Sequence, residues 1–197
     1  MAYTAATGFR YYGSLSGNSA TPIPELIRCG ASQTLRIGDL VRVNTSGVVV
    51  ACASGAVPAG VCVGLVDENG INVLGQGVPN DTGATLTGDD TVTTASDNDS
   101  RTHYIKAEVI IDVAGDILWL NDADASLSQT YLFQMFDVAS GRQVTVGGSD
   151  ANGQVQLMRL DPDATGGQTA DASKGLFRIA ENQFGLGIDS ATAKNAA

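Results

Sequence analysis

Residues 35–75 read LRIGDLVRV, NTSG, VVVAC, ASGAVPAG, VCVGLV, DENG and INVLG in direct succession. Short β-branched runs alternate with clusters of Gly, Asn, Asp, Ser and Pro, the rhythm of strands joined by tight turns. Leu35, Ile37, Val41 and Val43 share one face of the first run and Arg36 and Arg42 the other. That period of two is expected of a half-buried strand. Asn44–Gly47 has the composition of a hairpin connection, with glycine at its end. Val48, Val49 and Val50 are apolar on both faces, as in the wall of a barrel. Nothing in the stretch carries chemistry, so it reads as scaffold.

Outward from this cluster the same grammar continues. In HYIKAEVIIDV, His103, Ile105, Ala107, Val109, Ile111 and Val113 fall on one face, with Tyr104, Lys106, Glu108 and Asp112 opposite. His103 stands at the mouth of that strand beside Arg101, where a hydrogen-bonded strand-end histidine is expected. ILWL, YLFQMFDV, QVTVG, VQLMRL and GLFRIAEN read as further strands, separated by turns such as ASGR and SDANG. No segment sustains a helical period; the best candidate is a single turn near Asp122–Leu127. The expected fold is all-β: small β-barrel or β-sandwich modules with an extended N-terminal arm and long loops.

Three segments follow from composition. Residues 1–34 read as the arm: Pro22 and Pro24 flank Ile23, and proline biases the residue before it away from helix. Tyr3, Phe9, Tyr11 and Tyr12 crowd this arm around Arg10, and docking on a neighbouring molecule is the favoured use of them, with folding back onto the body as the alternative. Residues 35–125 form the expected barrel module, interrupted by a polar, acidic loop at 76–102 with at most a short hairpin near Thr91–Thr94. Residues 126–197 form a second β-rich segment or a continuation of the same domain, with a frayed tail.

Charge and cysteine use exclude several functions. Of the 197 residues only 16% are charged, where about a quarter is typical, and low charge on a long β chain favours permanent assembly over free edges. Net charge is −10 overall, and residues 67–125 hold twelve acids against two bases. Such an acidic middle argues against nucleic acid as a partner, because phosphate contacts need a basic footprint. Cys29, Cys52 and Cys62 are odd in number and form no C-x-x-C pair; Cys52 and Cys62 lie in apolar strands and read as small hydrophobes. With a single histidine, His103, neither a metal site nor a Ser/His/Asp arrangement has enough residues. The first thirteen residues lack a charged start followed by an apolar core, so no signal peptide is expected, and no apolar run reaches membrane-spanning length. Synthesis in a reducing cytoplasm is the expectation, and the three Asn-x-Ser/Thr matches at Asn44, Asn80 and Asn98 read as turn residues. Asp97-Asn-Asp99 and Asp122-Ala-Asp124 begin like calcium loops, but neither continues as one. No cofactor, metal or catalytic residue is expected, and the chain is not expected to be an enzyme.

GFRYYGSLSGNSATPIPELI followed by LRIGDLVRVNTSGVVVACASGAVPAGVCVGLV resembles the head decoration, or cement, proteins of tailed bacteriophages. The positions that match that family's barrel module are Gly38, Asp39, Val41, Gly60, Val61 and Gly64. Farther on, Leu132, Phe133, Gln134, Arg178 and Ile179 resemble two strands that bracket the second half of larger head-associated proteins. The resemblance implies a structural protein on the outer surface of an icosahedral capsid. It implies self-association, most often as a homotrimer, with a dimer as the alternative. The major capsid protein would be its partner, and no membrane or nucleic acid would be involved. Under that reading the contact residues are Tyr3, Phe9, Arg10, Tyr11, Tyr12 and Ile23. The alternatives are a head-fibre or tail component, and a carbohydrate-binding β-sandwich.

Overall fold

A computed structural model describes residues 8–17, 22–87, 91–139, 141–146, 153–161 and 172–184. Tyr3 and the C-terminal tail lie outside the described residues. Nearly all regular structure is strand. In chain order the strands are β1 (Arg10–Ser14), β2 (Glu25–Arg28), β3 (Thr34–Arg36), β4 (Leu40–Val43), β5 (Val49–Ala51), β6 (Gly60–Asp67), β7 (Thr85–Thr87), β8 (Thr91–Thr93), β9 (Ile105–Ile111), β10 (Ile117–Leu127), β11 (Met135–Phe136), β12 (Val138–Ala139), β13 (Gln143–Val144), β14 (Val155–Leu160) and β15 (Ala172–Ile179). One four-residue helix, α1 (Val73–Gln76), and two 3-10 turns at Asn80–Thr82 and Gln129–Tyr131 complete the set. The expected all-β class is what the chain adopts.

The chain divides into two compact units, and the division differs from the expected segments. One unit takes residues up to 21, 53–58 and those from 112 onward; the other takes 22–52 and 59–111. The boundary expected at 125 therefore falls at 111/112, and residues 22–34 join the barrel unit instead of an arm. Segment 53–58 belongs with the later strands for a visible reason. Buried Gln154 donates through Nε2 to the carbonyls of Ala53 (3.0 Å) and Ala56 (2.6 Å), and the Gln183 amide donates to Pro58. Such long-range side-chain ties leave no signature in local composition.

In the barrel unit the sheet order is β2-β9-β6-β4-β5. Just past β2 the sheet bends round to β5: Cys29 bridges Val49 in parallel, and the Gly30 amide donates to the Val49 carbonyl at 2.7 Å. The result is a nearly closed barrel, which removes most free edges. Its core holds Cys29, Val41, Val49, Cys62, Leu65 and Ile105 with Ala107 and Val109. A three-stranded sheet, β3-β8-β7, adds Leu35 and Val92 to the same core. The acidic segment 76–102 is thus no long loop: it contributes a 3-10 turn, two paired strands and a turn at 96–100.

LRIGDLVRV is likewise two strands in two sheets. Gly38 adopts φ 88°, a conformation open to glycine at little cost, and the Asp39 carboxylate accepts the Arg36 amide at 2.9 Å. Ile37 is therefore exposed while Leu35, Leu40 and Val41 are buried. Gly60 has a different role: a Cβ there would collide with the Ile110 carbonyl across the β6–β9 pair.

The three cysteines are free and buried, and burial pushes the Cys29 thiol well above the ordinary thiol range. Enclosed thiols of this kind are inert while the fold holds. Native protein is expected to give no reaction with Ellman's reagent over minutes, and all three thiols are expected to react in guanidinium.

In the other unit β11, β14, β15, β10, β13 and β12 line up in that order, with β1 against the first half of β10. Phe9, Trp119, Phe136 and Phe177 fill the core with Leu127, Leu157, Leu160 and Ile179. Strand β10 runs on through Asn-Asp-Ala-Asp-Ala-Ser, so the helical turn expected near Asp122–Leu127 is absent. Asn121, Ala123 and Leu127 face inward there, with Asp124 exposed and Asp122 half-buried beside Lys174. Small alanines disguise the period of two.

Candidate functional site

The residues expected to contact a partner are dispersed by the fold. Residues 10–14, expected on a neighbouring molecule, form β1 and pair with β10 of the same chain. Phe9 is buried, and Tyr11 packs edge-on against Trp119 with ring centroids 6.3 Å apart. Burial corrects the assignment of Phe9 as a contact, because an enclosed Phe stabilises its own unit and presents no surface; Tyr11 is half-buried, with its ring engaged by Trp119. Arg10 is exposed on β1, and Tyr12 keeps 47% of its surface. Ile23 belongs to the other unit and is 87% exposed.

Next to Ile23 one edge of β2 is left uncovered by the described residues. Strand β2 pairs with β9 from Glu25 to Arg28, and the Cys29 amide donates to the Ile105 carbonyl. In an antiparallel ladder successive residues alternate between the two edges, so the backbone polar groups of Leu26 and Arg28 face away from β9. Gly30 continues that alternation and meets Val49, but upstream of Val49 the chain is the Asn44–Gly47 turn. Among the described residues no strand lies against this edge at Glu25–Ile27. Leu26, 54% exposed, stands on it three residues from Ile23.

At another place in the barrel unit a charged cluster forms that composition alone did not single out. His103 Nδ1 lies 2.7 Å from Glu68 Oε1 and 3.7 Å from Asp81 Oδ2. Arg101 reaches the Asp97 carboxylate at 3.3 Å and donates to the Asp81 carbonyl at 2.7 Å. Lys106 Nζ donates to the Glu68 carbonyl. The hydrogen bond to Glu68, reinforced by Asp81, holds the His103 imidazole above its ordinary value, and the same bond holds Glu68 below the usual carboxylate range. His103 is thus a hydrogen-bonded strand-end histidine. Its partners come from Glu68, thirty-five positions upstream, and from the acidic segment.

Beneath this cluster Asn98 acts as a buried staple. Its Nδ2 donates to the carbonyls of Cys29 (2.6 Å) and Ile105 (3.2 Å), and its Oδ1 accepts the Ile105 amide at 2.9 Å. All three Asn-x-Ser/Thr asparagines sit in turns, as read; Asn98 is in addition enclosed and ties its turn at 96–100 to the barrel.

The carboxylates that began like calcium loops have other partners. Asp97 meets Arg101, Asp122 lies 3.8 Å from Lys174, and Asp124 accepts the Val146 amide. Among the described residues no group of three or more His, Cys, Asp or Glu side chains is placed to hold a metal ion. No helix among them is long and apolar enough to cross a membrane.

Phe133 is placed otherwise than its sequence suggests. The run Leu132-Phe133-Gln134, read as part of a strand, is a turn in which Phe133 takes φ 65° and is 63% exposed. Its amide donates to Leu157 O, its carbonyl accepts Gln156 Nε2, and Gln156 is held in turn by Arg178. A bulky side chain in the left-handed region is strained, and this network holds it there.

No protein-family model, curated protein or solved structure matches this chain. The positions that resemble decoration proteins have local folding roles: Gly38 turns the chain, Val41 fills the core, and Gly60 and Gly64 permit close approach of β9 and the Glu108 carboxylate.

Proposed function

We propose that this chain is a structural virion protein that binds the outer surface of an icosahedral phage capsid and cements neighbouring capsomers. The observation that carries the reading is the edge of β2 that no strand among the described residues covers, with exposed Leu26 on β2 and exposed Ile23 just before it. An isolated exposed aliphatic residue is ordinary, but two beside the outward backbone groups of Leu26 suit a partner that adds a strand and covers them. The resemblance of residues 9–66 to capsid decoration proteins names the partner class, the major capsid protein. Assembly as a homotrimer on the shell belongs to the same proposal.

The contact residues are revised accordingly. Ile23 stays and Leu26 joins it, whereas Phe9 and Tyr11 leave. Deleting the N-terminal residues is no clean test, because it would also strip β1 from β10. The decisive variant is Ile23→Asp with Leu26→Asp, assayed by co-sedimentation with expanded empty phage shells. Burying each aliphatic side chain is worth about 1.5–3 kcal/mol, so binding should weaken by at least about tenfold while circular dichroism stays unchanged. Undiminished binding removes β2 as the contact, and wild-type protein that never sediments with shells overturns the capsid reading.

A carbohydrate-binding reading draws on one specific feature, the exposed Phe133 held at positive φ. Retention on a polysaccharide column that is lost in Phe133→Ala would favour it over the capsid.

A further inference from the structure

We infer that His103, Glu68 and Asp81 form a proton-governed clasp that pins the Asn80–Thr82 turn to the end of the barrel where β6 finishes and β9 begins. All three residues belong to the barrel unit. Glu68 is presented by a rigid turn: the Asp67 carboxylate accepts the amides of Asn69 (2.9 Å) and Ile71 (2.8 Å), fixing the DENG connection after β6. His103 arrives two residues before β9 starts, and Asn98 anchors the chain just upstream by its three bonds to Cys29 and Ile105. Both jaws are therefore set by the fold before the turn is gripped. The imidazole sits between two carboxylates, 2.7 Å from Glu68 and 3.7 Å from Asp81. As a cation it bonds to one and attracts the other; as a neutral ring it can donate to Glu68 alone.

A second, permanent grip works on the same turn. Arg101 donates to the Asp81 carbonyl and lies over Gly83, where a Cβ would collide with its guanidinium. Gly83 closes the turn at φ 60°. The charges facing His103 are thus Glu68 from the β6 turn, Asp81 from the 3-10 turn and Arg101 from its own strand approach; Lys106 holds the Glu68 carbonyl and Asp97 holds Arg101. Arginine stays charged at any working pH, so the histidine is the switched component.

The sign follows from the directions of the two shifts. Stabilisation from His103, whose value is raised, is complete below the ordinary imidazole range and fades as pH rises through the raised value. That from Glu68, whose value is lowered, is complete above the ordinary carboxylate range and fades as pH falls through the lowered value. Between those limits the clasp is shut. On the neutral-to-alkaline side the turn is left to Arg101.

Because the chain has a single histidine, proton NMR reads the switch directly. The His103 resonance should titrate above the ordinary value of about 6.5, fall toward it in Glu68→Gln and in Asp81→Asn, and rise further in Arg101→Gln, which removes a neighbouring cation. Hydrogen-exchange protection of the amides at 82–84, corrected for intrinsic rates, should drop as pH rises through that titration and be independent of pH in His103→Gln. A histidine that titrates at its ordinary value in the wild type overturns the clasp. So does protection of 82–84 that responds to pH equally with and without the imidazole.

Discussion

Trp119→Ala should cost the seven-stranded unit about 3–5 kcal/mol, the range for removing a fully buried aromatic side chain. Trp119 is completely enclosed, opposite Tyr11 on β1 and Phe177 on β15. Removing it empties the place where β10 meets β1 and β15, and the edge-on contact with Tyr11 goes with it. Because Trp119 is the only tryptophan, the variant loses the natural fluorescent probe, so urea unfolding must be followed by circular dichroism. The contribution is one of packing. The indole Nε1 is buried and has no hydrogen-bond partner among the described residues, so Trp119→Phe should recover much of the loss. If Trp119→Ala unfolds at the wild-type urea midpoint, β10 is not the centre of that unit.

Asn98 gives the second large effect, through polar groups instead of volume. Asn98→Ala leaves the Ile105 amide and the Cys29 carbonyl without the side chain that meets them. Each abandoned buried group costs about 1–3 kcal/mol. Asn98→Asp should be worse although it is nearly isosteric. A carboxylate still accepts from Ile105, but it turns an oxygen toward the Cys29 and Ile105 carbonyls and places a charge in an enclosed site. The order expected from unfolding midpoints is wild type, then Asn98→Ala, then Asn98→Asp. Lowering the pH should narrow the gap, because protonation restores a donor. If Asn98→Asp matches the wild type at neutral pH, the staple contributes nothing.

These effects fall on residues the linear reading treated unevenly. Trp119 lies in ILWL, a run that reads as a strand, and a large aromatic among aliphatic residues in a β run rarely faces water. Asn98 read as one polar residue among many in an acidic stretch. Its importance comes from two strands, β2 and β9, that meet beside it only after folding. The arm aromatics show the same limit in reverse. Phe9 and Tyr11 are hydrophobic whether they cover a neighbour or their own sheet, and composition carries no information on which surface receives them. Ile23 kept its exposed position because Pro22 and Pro24 hold it outside any ladder, a local property legible in the chain.

Legible in the chain before folding is the local alphabet: strand class, turn sites such as Asn44–Gly47, and the inward row Ile105, Ala107 and Val109. A period of two states which side of a strand is buried, and it does so residue by residue. The tertiary structure alone decided partnership. It broke LRIGDLVRV at Gly38 into two sheets, extended β10 through Asp122–Leu127, and turned Leu132–Gln134 out of a strand. It also brought Glu68, Asp81 and His103 together. Pairings of that kind join residues tens of positions apart, and their energy lies in contacts that exist only once the chain has closed upon itself.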